Sequence, residues 1–301
     1  MTQGAARPTV AASSPLVAAL SMYDWPSVRH ANDSLWRAMA GALRARGLAA
    51  DDELQRGRPD GEIWRDGNLL FAQTCGYPFI RELTGHVRLV ATPCYAVDGC
   101  VGTSYSSHIV VRCGEPTGTL PEYAGRTVAI NSFCSQSGFA ALHAACAAAG
   151  GTAPFFSRCV MSGSHLASLQ AVAAGDADLA AIDAVCWAAA RRDCPGLAVR
   201  LKSIGTTPLT PGLPFITAAG RSDTELDLIR DALAECLAGP QTAEARRTLF
   251  IDGAEVLEAA DYCAAINILG ETEIAALVPH SSPVPAPLDR LSAARQAAPR
   301  A

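Results

Sequence analysis

Three things are missing from this chain of 301 residues: a basic stripe, any C-x-x-C pair, and an apolar run long enough to cross a membrane. The first absence argues against nucleic acid as a partner, since the Lys and Arg residues are scattered and the net charge is −5. Any anion site must then be local and built from backbone amides and hydroxyls. The second weakens zinc-ribbon and thioredoxin-like readings, although there are eleven cysteines. Cys146, Cys186 and Cys236 sit in Ala-rich stretches, where cysteine acts as a small hydrophobe. That usage suits a reducing compartment, with a Cys94–Cys100 bridge left open. The third absence, a run of about 18 apolar residues, excludes a spanning helix. Nor does Met1 to Pro15 carry a signal-like apolar run, so the sequence as written reads as cytoplasmic.

What is present is a globular composition. Half the residues are apolar and 18% are charged. Leu16–Met22 reads as a buried strand leading into Tyr23-Asp24, followed by a helix over 27–46 with Trp36, Met39 and Leu43 at helical spacing. Residues 51–65 read as loop or short helix. Further strands are predicted at 68–74, 87–92, 106–112, 127–131, 159–161, 177–182, 198–204 and 215–219. The helices between and after them fall at 78–83, 137–149, 166–174, 184–192, 223–237 and 242–249. This alternation predicts an α/β fold with doubly wound sheets.

Candidate chemistry gathers at strand ends, where open α/β sheets bind ligands. In Asn131-Ser132-Phe133-Cys134-Ser135-Gln136-Ser137-Gly138-Phe139, a strand runs through small hydroxyl residues into an Ala-rich helix. Such a helix start presents amides to an anion, while the plainer reading is an N-cap by Ser135 or Ser137. Ser162-Gly163-Ser164-His165 repeats the strand-to-helix junction, with a histidine able to donate to an anion and to respond to pH near neutrality. Asp183 follows the strand at 177–182 and could meet a ligand cation, meet His165 or cap the next helix. Tyr23, Gln73, Thr74 and Tyr105 lie at further strand ends.

These segments resemble the phosphate/phosphonate substrate-binding proteins of ABC transporters, which have the type II periplasmic-binding-protein fold. The resemblance spans roughly residues 16–250. It rests on Thr103-Ser104-Tyr105-Ser106, Ser135-Gln136-Ser137-Gly138-Phe139, Gly163-Ser164-His165 with the Leu169–Asp178 helix end, and the turn Pro211-Gly212-Leu213-Pro214. It implies two lobes, each a mixed sheet flanked by helices: residues 16–107 with 212–279, and residues 108–211. A flexible N-terminus (1–15) and a mobile tail (280–301) complete the expected organisation. It also implies a small oxyanion held between the lobes by Tyr105, Ser135, Gln136, Ser137 and His165, an ABC permease as partner, and a periplasmic location. A monomer is expected, with no catalytic residue, cofactor or metal. One departure stands out. Relatives that take aminoalkyl phosphonates carry an acid inside the Pro-Gly-x-Pro turn, where this chain has Leu213, and the nearest acid on offer is Asp183.

Two other readings use the same residues. An enzyme resembling thiamine-pyrimidine synthases could run a Ser137–His165–Asp183 relay, although the G-x-S-x-G elbow is absent. A ferric-iron receptor could draw on Tyr23, Asp24, Tyr105, His165 and Asp183.

Overall fold

The computed structural model describes residues 15–116, 118–150, 153–263, 277 and 283–285. Most of the expected N-terminal segment and C-terminal tail therefore lies outside the described residues. The strands are β1 (Val17–Ala19), β2 (Leu69–Gln73), β3 (Val87–Tyr95), β4 (Cys100–Val101), β5 (Ser104–Tyr105), β6 (Ser107–Arg112) and β7 (Thr127–Ile130). They continue as β8 (Arg158–Met161), β9 (Leu179–Asp183), β10 (Leu201–Thr206), β11 (Thr210–Pro211), β12 (Phe215–Ala218), β13 (Ile251–Glu255) and β14 (Pro283–Pro285). The helices are α1 (Arg29–Ala45), α2 (Asp60–Trp64), α3 (Gly76–Arg81), α4 (Ala141–Ala148), α5 (His165–Ala174), α6 (Ala184–Asp193), α7 (Pro195–Ala198), α8 (Asp223–Ala238) and α9 (Ala243–Thr248).

Two mixed sheets flanked by helices form two lobes. The first has the order β1-β2-β12-β3-β13 and the second β10-β6-β9-β7-β8-β14. Strands β7, β8 and β9 are parallel, and their apolar centres are buried, as in strands covered on both faces. Strand β14, within the stretch expected as a mobile tail, pairs in parallel with β8 at the sheet edge. A small sheet, β11-β5-β4, stands beside the segments that pass between the lobes.

Each lobe has its own core. In the first, α1 buries Leu35, Trp36, Met39 and Leu43, and Trp36 stacks on Phe71 with ring centroids 6.0 Å apart. Phe71 in turn meets Phe215 at 4.9 Å. Each such aromatic or aliphatic side chain contributes roughly 1.5–3 kcal/mol by burial. In the second, Ile109, Val111, Val128, Ile130 and Leu179 of the sheet pack on Phe139 and Leu142. Tyr23 and Trp25 touch the cores of both lobes.

The structure departs from the predicted elements in three places that matter. The first strand stops at Ala19, and Ser21–Tyr23 is a 3₁₀ turn. The stretch expected as a strand from 198 begins as helix α7, because Pro195 at its first position presets a helical φ, and β10 starts only at Leu201. The helix expected from Ser137 opens with a π-helical turn, Gln136–Ala140, before α4 begins. Such wide turns favour functional positions, since they leave first-turn groups free to point elsewhere. All eleven cysteines, Cys94 and Cys100 included, are free thiols.

Candidate functional site

Between the lobes lies a cavity of about 580 Å³. The first lobe contributes Met22, Tyr23, Asp24, Trp25, Trp64, Cys75 and Leu213 to its walls. The second contributes Asn131, Ser135, Ser137, Ser164, His165, Asp183 and Cys186. None of the described residues lining it is lysine or arginine.

The π-helical turn forms one end. Ser135 is its N-cap, its Oγ accepting from the Gly138 amide at 3.0 Å. The plainer reading of Ser135 is thus part of the answer. Ala140 N donates to Ser135 O and Ala141 N to Gln136 O, so the amides of Gln136 and Ser137 precede the first intrahelical bond, and that of Gln136 points to the Cys75 sulfur. The Ser137 hydroxyl lies 3.4 Å from Ser135 Oγ and 2.8 Å from His165 Nε2. Its carbonyl accepts from Ser107 Oγ at 3.0 Å, which pins the turn onto β6. The Tyr105 hydroxyl is buried beside Ser137 without an aligned hydrogen bond.

Two glycines let this turn sit where it does. A Cβ on Gly138 would overlap Asn131 Oδ1, and one on Gly76 would overlap Gln136 Oε1. Both amide oxygens are buried and lack hydrogen-bond partners.

His165 is the first residue of α5, whose cap is Ser164 Oγ accepting from the Ala167 amide. Burial pushes its pKa down to about 4. The expected response to pH near neutrality is therefore corrected: desolvation keeps the ring neutral there, and it offers a dipole rather than a charge.

Asp183 ends β9 and caps α6. Its Oδ1 accepts from the amides of Val185 (2.8 Å) and Cys186 (3.2 Å), and its Oδ2 accepts the Tyr23 hydroxyl at 2.8 Å. That last bond ties the two lobes together. Burial raises the carboxyl to about 6, opposed by those three donors. Asp183 is bonded to Tyr23, Val185 and Cys186 and makes no hydrogen bond to His165, so the relay of the enzyme reading is not assembled. The ferric set is not assembled either. Asp24 is held by Asn32, Arg56 and Arg29, and its pKa is lowered although burial works the other way. Among the described residues, no three His, Cys, Asp or Glu side chains gather to hold a metal.

Of the sequence-predicted residues, Tyr23, Ser135, Ser137, His165 and Asp183 line the cavity. Others support it from behind. Gln73 donates to the Tyr95 hydroxyl (3.0 Å) and the Leu213 carbonyl (3.1 Å), and the Thr74 amide donates to Pro214 O. Gln136 Nε2 donates to Thr210 Oγ1 at 2.8 Å and Pro211 O at 3.2 Å, which anchors the turn to the inter-lobe segment. The sequence reading did not single out Met22, Trp25, Trp64, Asn131 or Cys186. Only Trp25 and Asn131 carried a signal, as neighbours of strand-end residues already noted.

The family model for periplasmic phosphonate substrate-binding proteins of ABC transporters matches residues 65–262. The chain belongs to this family. Among solved structures, a binding-protein component of an ABC phosphonate transporter from Pseudomonas aeruginosa is 16% identical with a TM-score of 0.69. That match covers 85% of this chain and 86% of the other. PhnD1 from Prochlorococcus marinus, solved with methylphosphonate, is 14% identical with a TM-score of 0.70, covering 84% and 96%. XAC2383 from Xanthomonas citri, solved with ATP, is 18% identical with a TM-score of 0.67, covering 86% and 99%. Among curated proteins none matches. The fold is thus the two-lobed type II periplasmic-binding-protein fold. The family is periplasmic and works with a transporter, and among the described residues no helix is long and apolar enough to cross a membrane.

Proposed function

We propose that this substrate-binding protein holds a small phosphorus oxyanion of methylphosphonate or phosphite size at the Ser135–Ser137–His165 end of the cleft, and passes it unchanged to an ABC permease. The observation that carries the reading is the π-helical turn opening on an inter-lobe cavity, with Ser137 Oγ 2.8 Å from His165 Nε2. The early amides of the turn, the Ser135 and Ser137 hydroxyls and the Tyr105 hydroxyl are neutral donors at a helix start, where the helix dipole favours negative charge. Each charge-assisted hydrogen bond is worth roughly 1.5–3 kcal/mol. Three or four together support micromolar binding after the cost of association. The same reading gives the lobes as residues 16–107 with 212–263 and residues 108–211, moving about the segments near β5 and β11, with the periplasm as the place of work; Leu277, expected in the first lobe, is instead buried in the core of the second.

The test is calorimetric titration of ligand-free protein with methylphosphonate, phosphite, phosphate and sulfate. Micromolar binding of a phosphorus oxyanion is expected. No heat from any of the four would overturn the proposal.

A further inference from the structure

The donor end of the cleft accounts for an oxyanion and for little else of the space. The cavity of about 580 Å³ falls within the roughly 300–1,000 Å³ of pockets that hold drug-sized ligands. Its first-lobe wall carries Met22, Trp25 and Trp64, which suit carbon rather than charge. A second cavity of about 210 Å³ adjoins it on the same lobe, and Ser21 and Asp24 line both.

This recess is basic in a chain whose net charge is −5. Arg29 at the start of α1, with Arg56 and Arg58 from the loop before α2, line it against one carboxylate, Asp24. Arg56 is fully engaged: Nε and Nη2 donate to Asp24 at 2.6 and 3.0 Å, and Nη1 lies 2.8 Å from Asp33. Arg58 Nη1 donates to Asp66 at 3.0 Å. Asp33 and Asp66 hold these side chains without lining the recess themselves. Arg29 uses only Nε, 3.4 Å from Asp24. Its two terminal nitrogens, Nη2 of Arg58 and the Ser21 hydroxyl make no hydrogen bond among the described residues. The loop itself is fixed in place. The Gln55 amide donates to Ala18 O at 2.7 Å, and Gly57 takes a φ of 86°, which glycine adopts without strain.

Ion pairing of the loop to α1 needs one guanidinium per carboxylate, and on the recess side the ratio is three to one. The surplus donors suit an anion. The cleft wall beside them does not, since Asp60 lines it without an ion pair among the described residues and Glu82 is held by Arg65 at 3.3 Å. A second negative charge is therefore welcome in the recess and not along the way to it.

We propose that the Arg29–Arg58 recess is a second anion subsite, and that the cleft takes organophosphorus acids carrying a second anionic group a short carbon chain away from phosphorus. This rests on the oxyanion reading of the cleft and adds the class of its ligand. Methylphosphonate is then the head group alone, the chain lies along the apolar wall, and the second anion meets the free nitrogens of Arg29 and Arg58.

The test is calorimetry on ligand-free full-length protein at pH 7.0. Phosphonoacetate, 3-phosphonopropionate and 4-phosphonobutyrate are compared with ethyl-, propyl- and butylphosphonate, and all of them with methylphosphonate. The three acids differ in reach, so the tightest of them reports the span between the subsites. It is expected to bind about fivefold more tightly than its alkyl counterpart, the gain of one partly exposed ion pair. Raising the salt from about 0.05 M to 0.5 M should remove most of that difference, because the Arg29 side chain is 55% exposed. Arg29→Gln and Arg58→Gln should each shrink it, and the double variant should abolish it, while methylphosphonate affinity stays within twofold of the wild type. The two arginines lie on different elements, so a poorly folded single variant leaves the other, and the salt series needs no variant. If no phosphonocarboxylate exceeds its alkyl counterpart, or the gain survives in a folded double variant, the second subsite is overturned and the oxyanion site stands. If methylphosphonate, phosphite and phosphate all fail to bind, the oxyanion reading falls and this inference falls with it.

Discussion

The Ser137 hydroxyl and Nε2 of His165 lie 2.8 Å apart although 28 residues separate them in the chain. The ring is neutral, and its Nδ1 is buried near the Ala181 backbone without an aligned hydrogen bond. The Ala181 backbone beside Nδ1 favours the ring proton there, so Nε2 accepts from the Ser137 hydroxyl. The bond holds the Ser137 side chain at the mouth of the turn, and an anion competes with Nε2 for the hydroxyl hydrogen.

Ser137→Ala removes the hydroxyl that meets the anion. One charge-assisted hydrogen bond of roughly 1.5–3 kcal/mol corresponds to about a 10- to 150-fold loss of affinity. Calorimetry with methylphosphonate measures it, alongside a melting curve showing the fold intact. A loss below twofold would take Ser137 out of the site.

The position of these residues was legible in the sequence, and their environment was not. A strand followed by Ser135-Gln136-Ser137-Gly138 and another by Gly163-Ser164-His165 are local patterns, and local hydrogen-bonding geometry decides them. The charge state of His165 depends on what covers it, and that comes from distant segments. The same holds for Gln73 and Thr74. Their strand-end position suggested contact with a ligand, yet Gln73 spends its amide on Tyr95 and Leu213. The 3₁₀ turn that aims Tyr23 at Asp183 has no apolar periodicity to announce it, being three residues long.

Gly138→Ala tests the tightness of the turn. The added methyl would overlap Asn131 Oδ1, a contact that Asn131 must yield to. Overpacking of this kind costs roughly 1–3 kcal/mol. Urea denaturation should show that loss, and adding Asn131→Ala should recover part of it. If the two effects simply add, the strain lies elsewhere.

Tyr23→Phe removes one donor to Asp183 and the bond between the lobes. With two amide donors left, the carboxyl should titrate above its present value of about 6, because the Tyr23 hydrogen bond lowers it. Carboxyl NMR shifts of Asp183 across a pH series measure that midpoint. A fall would contradict the arrangement.

His165 and Asp183 push stability in opposite directions with pH. His165 binds its proton at about 4 when folded and near 6.5 when unfolded. Its contribution is therefore complete above 6.5 and is lost as pH falls from there toward 4, because the unfolded chain takes up the proton first. Asp183 binds its proton at about 6 when folded and near 3.8 when unfolded. Its contribution is complete below 3.8 and is lost as pH rises through 6. Between pH 4 and 6 the two slopes oppose each other, and each shift of about two units is worth up to roughly 3 kcal/mol. Urea denaturation at pH 4.5 and 6.5 separates them. Asp183→Asn should gain stability more steeply with rising pH than the wild type does, while His165→Gln should gain less or lose. If both variants keep the wild-type slope, neither side chain is buried as described, and the cleft is wetter than its walls imply.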